Sequence, residues 1–253
     1  TSMWHLLNKR TWESADMVLT IGDYIAANIR KTLAPESSTK IAVIPNWANG
    51  EFVRPINKKD NWFSRSLGQD DKLTVMYSGN LGHTHDVESM IEMAIRFRNR
   101  KEVGFVIIGE GEKREKLQSW IEAENLTNII LLPFQKECDL PYSLSIADLG
   151  VVSLQQGIEG YSVPSKTYYM MAAGAALLVI SKGPNELTDL VDRFQCGFHV
   201  SQGDVNGLCK VVQDCLCNPE NLQRAKTNSR SVMEQYFSRA NTRCYVEALN
   251  HYL

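Results

Sequence analysis

Lysine is an uncommon choice for the first turn of a helix, where the dipole is positive and free N–H groups already favour anions. In the stretch GIEGYSVPSKTYYMMAAGAALLVIS, Gly157–Ser181, Lys166 nonetheless follows Pro164 and Ser165, and a run of small apolar residues follows it. Pro164 fixes the backbone, and Ser165 has the side chain of a natural N-cap. An ammonium and open helix N–H groups converging on one point make a site for an anion, a diphosphate in particular. Two glycine turns have related chemistry. Gly79, Asn80 and Gly82 directly follow KLTVMYSG, and Gly109, Glu110 and Gly111 close VGFVIIG. Glycines there let the backbone turn sharply and leave N–H groups open to an anion. Neither turn is a GxGxxG or a Walker loop, and each alone is equally an ordinary strand-to-helix turn. His83 and His85 share the first loop. Only Asp86 stands beside them at ligand spacing, so His85 suits a hydrogen bond to phosphate or sugar rather than a metal. Lys113 and Arg114 open the next helix, either as solvated charges or as partners of a nearby anion.

These loops need strands to hold them. Strand and helix patterns alternate along the chain, which predicts an α/β fold with a doubly wound, Rossmann-like parallel sheet covered on both faces. Strands are expected at Asp16–Gly22, Lys40–Trp47, Lys72–Gly79, Val103–Gly109, Asn128–Phe134, Leu149–Leu154, Ala175–Ser181 and Cys196–Val200. The helix Asp86–Arg100 puts Val87, Met90, Ile91, Ala94, Ile95 and Phe97 on its apolar side, with Asp86 as N-cap. From about Asp204 the chain reads as helical. Residues 48–71 have weak periodicity and are rich in Asn, Lys and Asp, the pattern of a linker. The expected organisation is therefore residues 1–47, then a linker over 48–71, then a domain over 72–253. In such sheets ligands bind beyond the carboxyl ends of the strands, near a switch in strand order.

Composition narrows the classes. The chain has 253 residues, 43% hydrophobic and 22% charged, with a net charge of −2, ordinary for a globular protein and without the basic excess of a nucleic-acid binder. The six cysteines show no CxxC and no zinc spacing, which points to reduced thiols and a cytoplasmic setting. Cys215 and Cys217 are expected on different faces of a helix. The longest apolar run, Met170–Ile180, is too short to span a bilayer. The basic cluster RFRNRK, Arg96–Lys101, is placed either for peripheral contact with an anionic membrane face or for stabilising a helix C-terminus. Trp62 and Phe63 are candidates for exposure or for covering a domain seam. The chain opens inside a helix pattern without an initiator Met, which suggests a piece of a longer protein.

The segments VMYSGNLGHTHD, VIIGEGEKREKL, ILLPF and VPSKTYYMMAAGAALLVI occur in that order. Together they closely resemble the carboxyl-terminal half of GT-B glycosyltransferases of the family-4 (group 1) type, most of all the bacterial subgroup that builds surface polysaccharides from N-acetylated amino sugars. The resemblance covers about Lys72–Leu253, and Met3–Trp47 looks like the end of an amino-terminal Rossmann domain. It implies a retaining transferase that moves a sugar from a nucleotide-diphosphate donor to a saccharide or lipid-linked acceptor. No cofactor or metal is expected. The acceptor would need the missing amino-terminal domain, so this chain alone should be nearly inactive.

The resemblance also implies roles. Gly79, Asn80 and Gly82 would face the diphosphate. The backbone of Pro133, Phe134 and Gln135 would meet the base. Lys166 and Ser165 would neutralise the leaving group, and His85 would match a histidine–aspartate pair of the subgroup. Gly109, Glu110 and Gly111 belong to the same donor-binding rim. Where many members carry two glutamates eight residues apart, this sequence has Tyr161 and Tyr169, with Glu159 two residues before the first. The Arg/Lys pair that many members carry after the glycine loop is absent between Asn80 and Glu92. A 2-epimerase on the same fold would favour cleft carboxylates, which the tyrosines disfavour. A degenerate sugar-nucleotide binding module is the alternative that the missing glutamates suggest.

Overall fold

The computed structural model describes residues 2–83 and 85–250. Helix α1 (Ser2–Glu13) leads to β1 (Met17–Thr20), α2 (Asp23–Thr32) and β2 (Lys40–Val43), and the two strands pair in parallel. After α3 (Trp62–Ser66) comes a regular alternation: β3 (Leu73–Ser78), α4 (Glu88–Arg96), β4 (Val103–Ile108), α5 (Arg114–Ala123) and β5 (Ile129–Leu132). It continues through α6 (Leu140–Leu144), β6 (Leu149–Ser153), α7 (Lys166–Ala172), β7 (Ala176–Ile180), α8 (Glu186–Phe194) and β8 (Gly197–Val200). Helices α9 (Val205–Cys217), α10 (Pro219–Tyr236) and α11 (Thr242–Asn250) follow. Thr84 and residues 251–253 of the expected domain lie outside the described residues.

The second sheet has six parallel strands in the order β5-β4-β3-β6-β7-β8. Successive strands first run outward from β3, then return to its other side, so the order reverses between β3 and β6. The central strands are mostly apolar because both of their faces are covered. Val75, Tyr77, Phe105, Ile107 and Val151 enter one core with α4 and α9. Their neighbours Met76, Val106, Ile108 and Val152 enter the other with α7 and α10. That is the period-two alternation of a pleated strand.

Residues 48–71 do more than link. They contain α3, and Ala48, Val53 and Phe63 are buried in the second core while Trp62 stays exposed. Lys58 reaches below the sheet to Asp148, at the start of β6, 2.7 Å away, and Lys226 of α10 meets the other carboxylate oxygen at 2.7 Å. Asp148 also accepts from the Thr74 backbone N–H. The segment reads as a linker because its buried apolar residues are scattered and its other anchor, Lys58, is polar, a pattern that periodicity does not register.

Other expectations shift locally. Val87 holds the N-cap position of α4, yet Asp86 still accepts from the Ser89 N–H at 3.1 Å and its hydroxyl at 2.7 Å. Met93 joins the expected apolar side of α4, and the helix ends at Arg96 rather than Arg100. Cys215 is buried and Cys217 exposed, and all six cysteines are free. The arginines of the basic cluster are engaged by their own chain: Arg96 by Asn206, Arg98 by Glu124, and Arg100 by Glu102 and Gln213. Among the described residues no helix is long and apolar enough to cross a membrane.

Candidate functional site

The loops after β3 and β6 meet at the switch in strand order. Gly79 turns with φ +151, a conformation that L side chains rarely adopt. A side chain there would also press on the Cε and Nζ of Lys166, 3.0 Å from an added Cβ. The second glycine turn supports the first. The Leu81 N–H donates to the Glu110 carbonyl at 2.8 Å, and the Lys113 N–H donates to the Leu81 carbonyl at 3.0 Å. A Cβ on Gly109 would overlap the Gly79 carbonyl oxygen. Gly111 lies beneath Asn80 and Leu81 in the same way, while Asn80 itself is exposed. Gly109→Ala is therefore expected to push the loops apart and cost about 1–3 kcal/mol. Thermal unfolding measures that cost, and a nucleoside diphosphate titration shows whether Gly79–Gly82 has moved.

Lys166 is the first residue of α7 and extends over the glycine loop. Its ammonium donates to the Tyr77 hydroxyl at 2.6 Å and lies 3.8 Å from the centre of the Tyr77 ring. Tyr77 in turn donates to the Asn80 carbonyl at 2.6 Å. Burial, with no carboxylate partner among the described residues to offset it, pushes the Lys166 pKa down to about 7. Ser165 departs from expectation. Its backbone is already helical, φ −60 and ψ −27, so its hydroxyl makes no cap hydrogen bond. The Thr167 and Tyr168 N–H groups at the start of the seven-residue α7 are bonded to the Pro164 and Ser165 carbonyls, so Lys166 itself is the principal positive group.

His85 spans the switch. Its Nδ1 lies 3.0 Å from the Ser153 carbonyl at the end of β6. A carbonyl only accepts, so Nδ1 carries the proton. Burial and the nearby Lys166 lower its pKa, which keeps the ring neutral at pH 7 and leaves Nε2 as an acceptor. His83 pairs instead with the exposed Glu112. Lys113 is not a solvated charge: it is buried, donating to the His85 carbonyl at 2.6 Å and to Glu88 at 2.8 Å. Arg114 donates to the Gly109 and Leu132 carbonyls. The anions and dipoles that these two cations serve are the protein's own.

A cleft of about 190 Å³ opens beside Lys166, lined by Ser78, Leu140, Leu144, Ser165 and Tyr169. A second, of about 480 Å³, lies among Asp86, Glu88, Lys113, Gln155, Gln156 and Gln202. Tyr169 is thus at the site, whereas Tyr161 is 69% exposed on the loop after β6. Glu159 is held within that loop, accepting from the Gly157 N–H at 2.6 Å and from Gln202 at 3.3 Å. Pro133, Phe134 and Gln135 follow β5, the edge strand two places from β3, and Phe134 is exposed. A larger cleft, about 720 Å³, lies at the opposite ends of the strands around Lys58, Lys226 and Arg230. Its cations are already paired with Asp148 and Glu234, and open α/β sheets bind ligands at the other end.

The profile of the family described as "Glycosyl transferases group 1" matches residues 58–232. The chain belongs to this family. The matched segment of this group 1 glycosyltransferase begins at Lys58, so it includes the buried anchor beneath the sheet. The chain is 23% identical over 227 residues to "Probable glycosyltransferase WbjE" of Pseudomonas aeruginosa, covering 90% of this chain and 56% of that protein. It is 26% identical over 212 residues to "Putative colanic acid biosynthesis glycosyl transferase WcaI" of Escherichia coli (strain K12), covering 82% and 51%. It therefore spans about half the length of these curated relatives. Among solved structures, Anabaena Alr3699/HepE in complex with UDP and glucose superimposes with a TM-score of 0.82 at 14% identity, over 99% of this chain and 68% of that one. Sucrose-phosphate synthase from Thermosynechococcus elongatus gives 0.77 at 18% identity, over 99% and 61%. These likenesses show the GT-B fold.

Tyr77 is the residue that sequence reasoning missed. A tyrosine inside an otherwise apolar strand carries a hydroxyl that must find a partner, and that was its available signal.

Proposed function

We propose that this group 1 glycosyltransferase chain is the donor-binding half of an enzyme that moves a sugar from a nucleoside-diphosphate donor to a saccharide or lipid-linked hydroxyl. The observation that carries this reading is Lys166: a desolvated ammonium over a glycine turn, bonded to a neutral phenol. A cation so placed is unfavourable by itself and favourable with an anion beside it. When the bond from the anomeric carbon to the diphosphate oxygen breaks, negative charge grows on the leaving group. Lys166 and the Asn80 and Gly82 N–H groups of the glycine loop are the fixed charge and dipoles that stabilise it, the Gly79 and Leu81 N–H groups being bonded to the Ile108 and Glu110 carbonyls. The neutral His85 accepts a hydrogen bond from a sugar hydroxyl through Nε2. The apolar cleft at Leu140, Leu144 and Tyr169 takes the nucleoside. Retention at the anomeric carbon follows from the family resemblance.

The family resemblance implies that the acceptor is bound by an amino-terminal domain beyond this half. Proximity of donor and acceptor supplies much of the rate enhancement, so this chain alone should bind the donor without appreciable transfer. The UDP in the HepE structure makes UDP the first nucleotide to try. Titration of the chain with UDP, GDP and UDP-sugars is expected to show binding of one base, and the full-length protein should transfer the sugar. A folded full-length protein that binds neither nucleotide would refute this reading. Tyr161 and Tyr169 in place of carboxylates favour one alternative, a module that binds the sugar nucleotide without transferring it. Binding with no transfer to any acceptor by the full-length protein would favour that alternative.

A further inference from the structure

Lysine has a flexible stem and a strongly hydrated head, so an ammonium without an acidic partner ordinarily extends into water. Lys166 does not. Its Nζ is held by the Tyr77 hydroxyl at 2.6 Å and lies 3.8 Å from the ring centre. The direction of the chain of bonds is determined. The Asn80 carbonyl can only accept, so the phenol gives its proton there, at 2.6 Å, and turns a lone pair to the ammonium. Tyr77 cannot drift, because its side chain is fully buried in β3 against α4. A carboxylate in the same place would hold the lysine too, but it would cancel the charge. A neutral phenol holds it and leaves the charge free for a ligand.

We propose that Tyr77 is a positioning residue: its hydroxyl, between the Asn80 carbonyl and the Lys166 ammonium, fixes Lys166 over the Gly79 turn and ties it to the glycine loop. This rests on Lys166 being the cation that meets the diphosphate. Burial around the fixed position agrees with it, since Lys166 is lowered to about 7. Released from Tyr77, the ammonium would swing into water and return toward the ordinary lysine range.

The test is Tyr77→Phe in the full-length protein, with UDP titrated at pH 8 in buffers of different ionisation enthalpy. Wild type is expected to take up close to one proton on binding. Tyr77→Phe should lose most of that uptake, and at pH 6, where both proteins carry the charged lysine, it should bind about 10-fold more weakly, the loss of one hydrogen bond to a charged group. In a Lys166→Ala background the same change should add little. Unchanged affinity and proton uptake in Tyr77→Phe, with Lys166→Ala weakened, would overturn the role of Tyr77 alone. Unchanged binding by Lys166→Ala would overturn the reading of the site. A second measurement does not depend on the variant folding: the Lys166 ¹³Cε relaxation in wild type should be that of a fixed side chain. Free averaging there overturns the proposal.

Discussion

Lys166→Met should weaken nucleoside diphosphate binding about 10- to 100-fold, the loss of a charge-assisted contact, while making the folded protein more stable. The two effects have one cause. The Lys166 pKa falls from its ordinary 10.5 to about 7 in the folded chain. Between those values the unfolded chain binds the proton more readily than the folded one, so stability rises with pH through this window. At pH 7 and below the burial cost of the charge is present in full. Methionine keeps the length of the stem and removes that cost, a gain of about 1–2 kcal/mol after allowing for solvent at the cleft mouth. Calorimetric titration with UDP and urea unfolding at pH 7 and pH 10 measure both. Wild type should gain stability between those pH values from this group, and Lys166→Met should lose that gain. UDP affinity of wild type should also fall as pH rises above about 7, because the free ammonium is then deprotonated. A variant that binds UDP as wild type does would remove Lys166 from the site.

Asp148→Ala has the opposite character: a large loss of stability with the ligand site untouched. Asp148 lies at the start of β6, with its side chain 12% exposed and a lysine on each oxygen. Burial alone would raise its pKa, but Lys226 and Lys58 outweigh burial and hold the carboxyl below the usual carboxylate range. Removing it leaves two largely buried ammonium groups facing each other, at a cost of about 3–5 kcal/mol. The same group predicts acid sensitivity. Its folded pKa is depressed, so its stabilisation is present above the ordinary Asp range and is lost as pH falls through the folded value. Urea unfolding at pH 7 should show the loss in Asp148→Ala, and an acid titration should show a shallower decline for the variant. Where Asp148→Ala remains folded, UDP affinity should match wild type, because the carboxylate is at the opposite end of the strands from Gly79.

The alternation of strands and helices was legible because it is local. Apolar runs such as VGFVII and LGVVS announce strands buried on both faces, and the glycines after them mark where a loop must turn. Lys166 was legible as well, because a lysine in a first turn conflicts with the local dipole. Lys113 and Arg114 show the same conflict, and their sequence does not distinguish a ligand from Glu88 and the Gly109 carbonyl. Ser165 looked like a cap because residue type is local, but capping needs an extended backbone and Ser165 is helical.

By itself, then, the sequence determined the α/β architecture, the loops that face the site and the family resemblance, since each rests on residue type and short-range spacing. The tertiary structure decided how the charges are used. Tyr77 and Lys166 stand 89 residues apart, and Asp148 lies 90 residues from Lys58 and 78 from Lys226. Spacing along the chain does not say which of these groups meet. The state of a buried charge depends on its nearest partner and on the water it has lost, and both are properties of the folded chain alone.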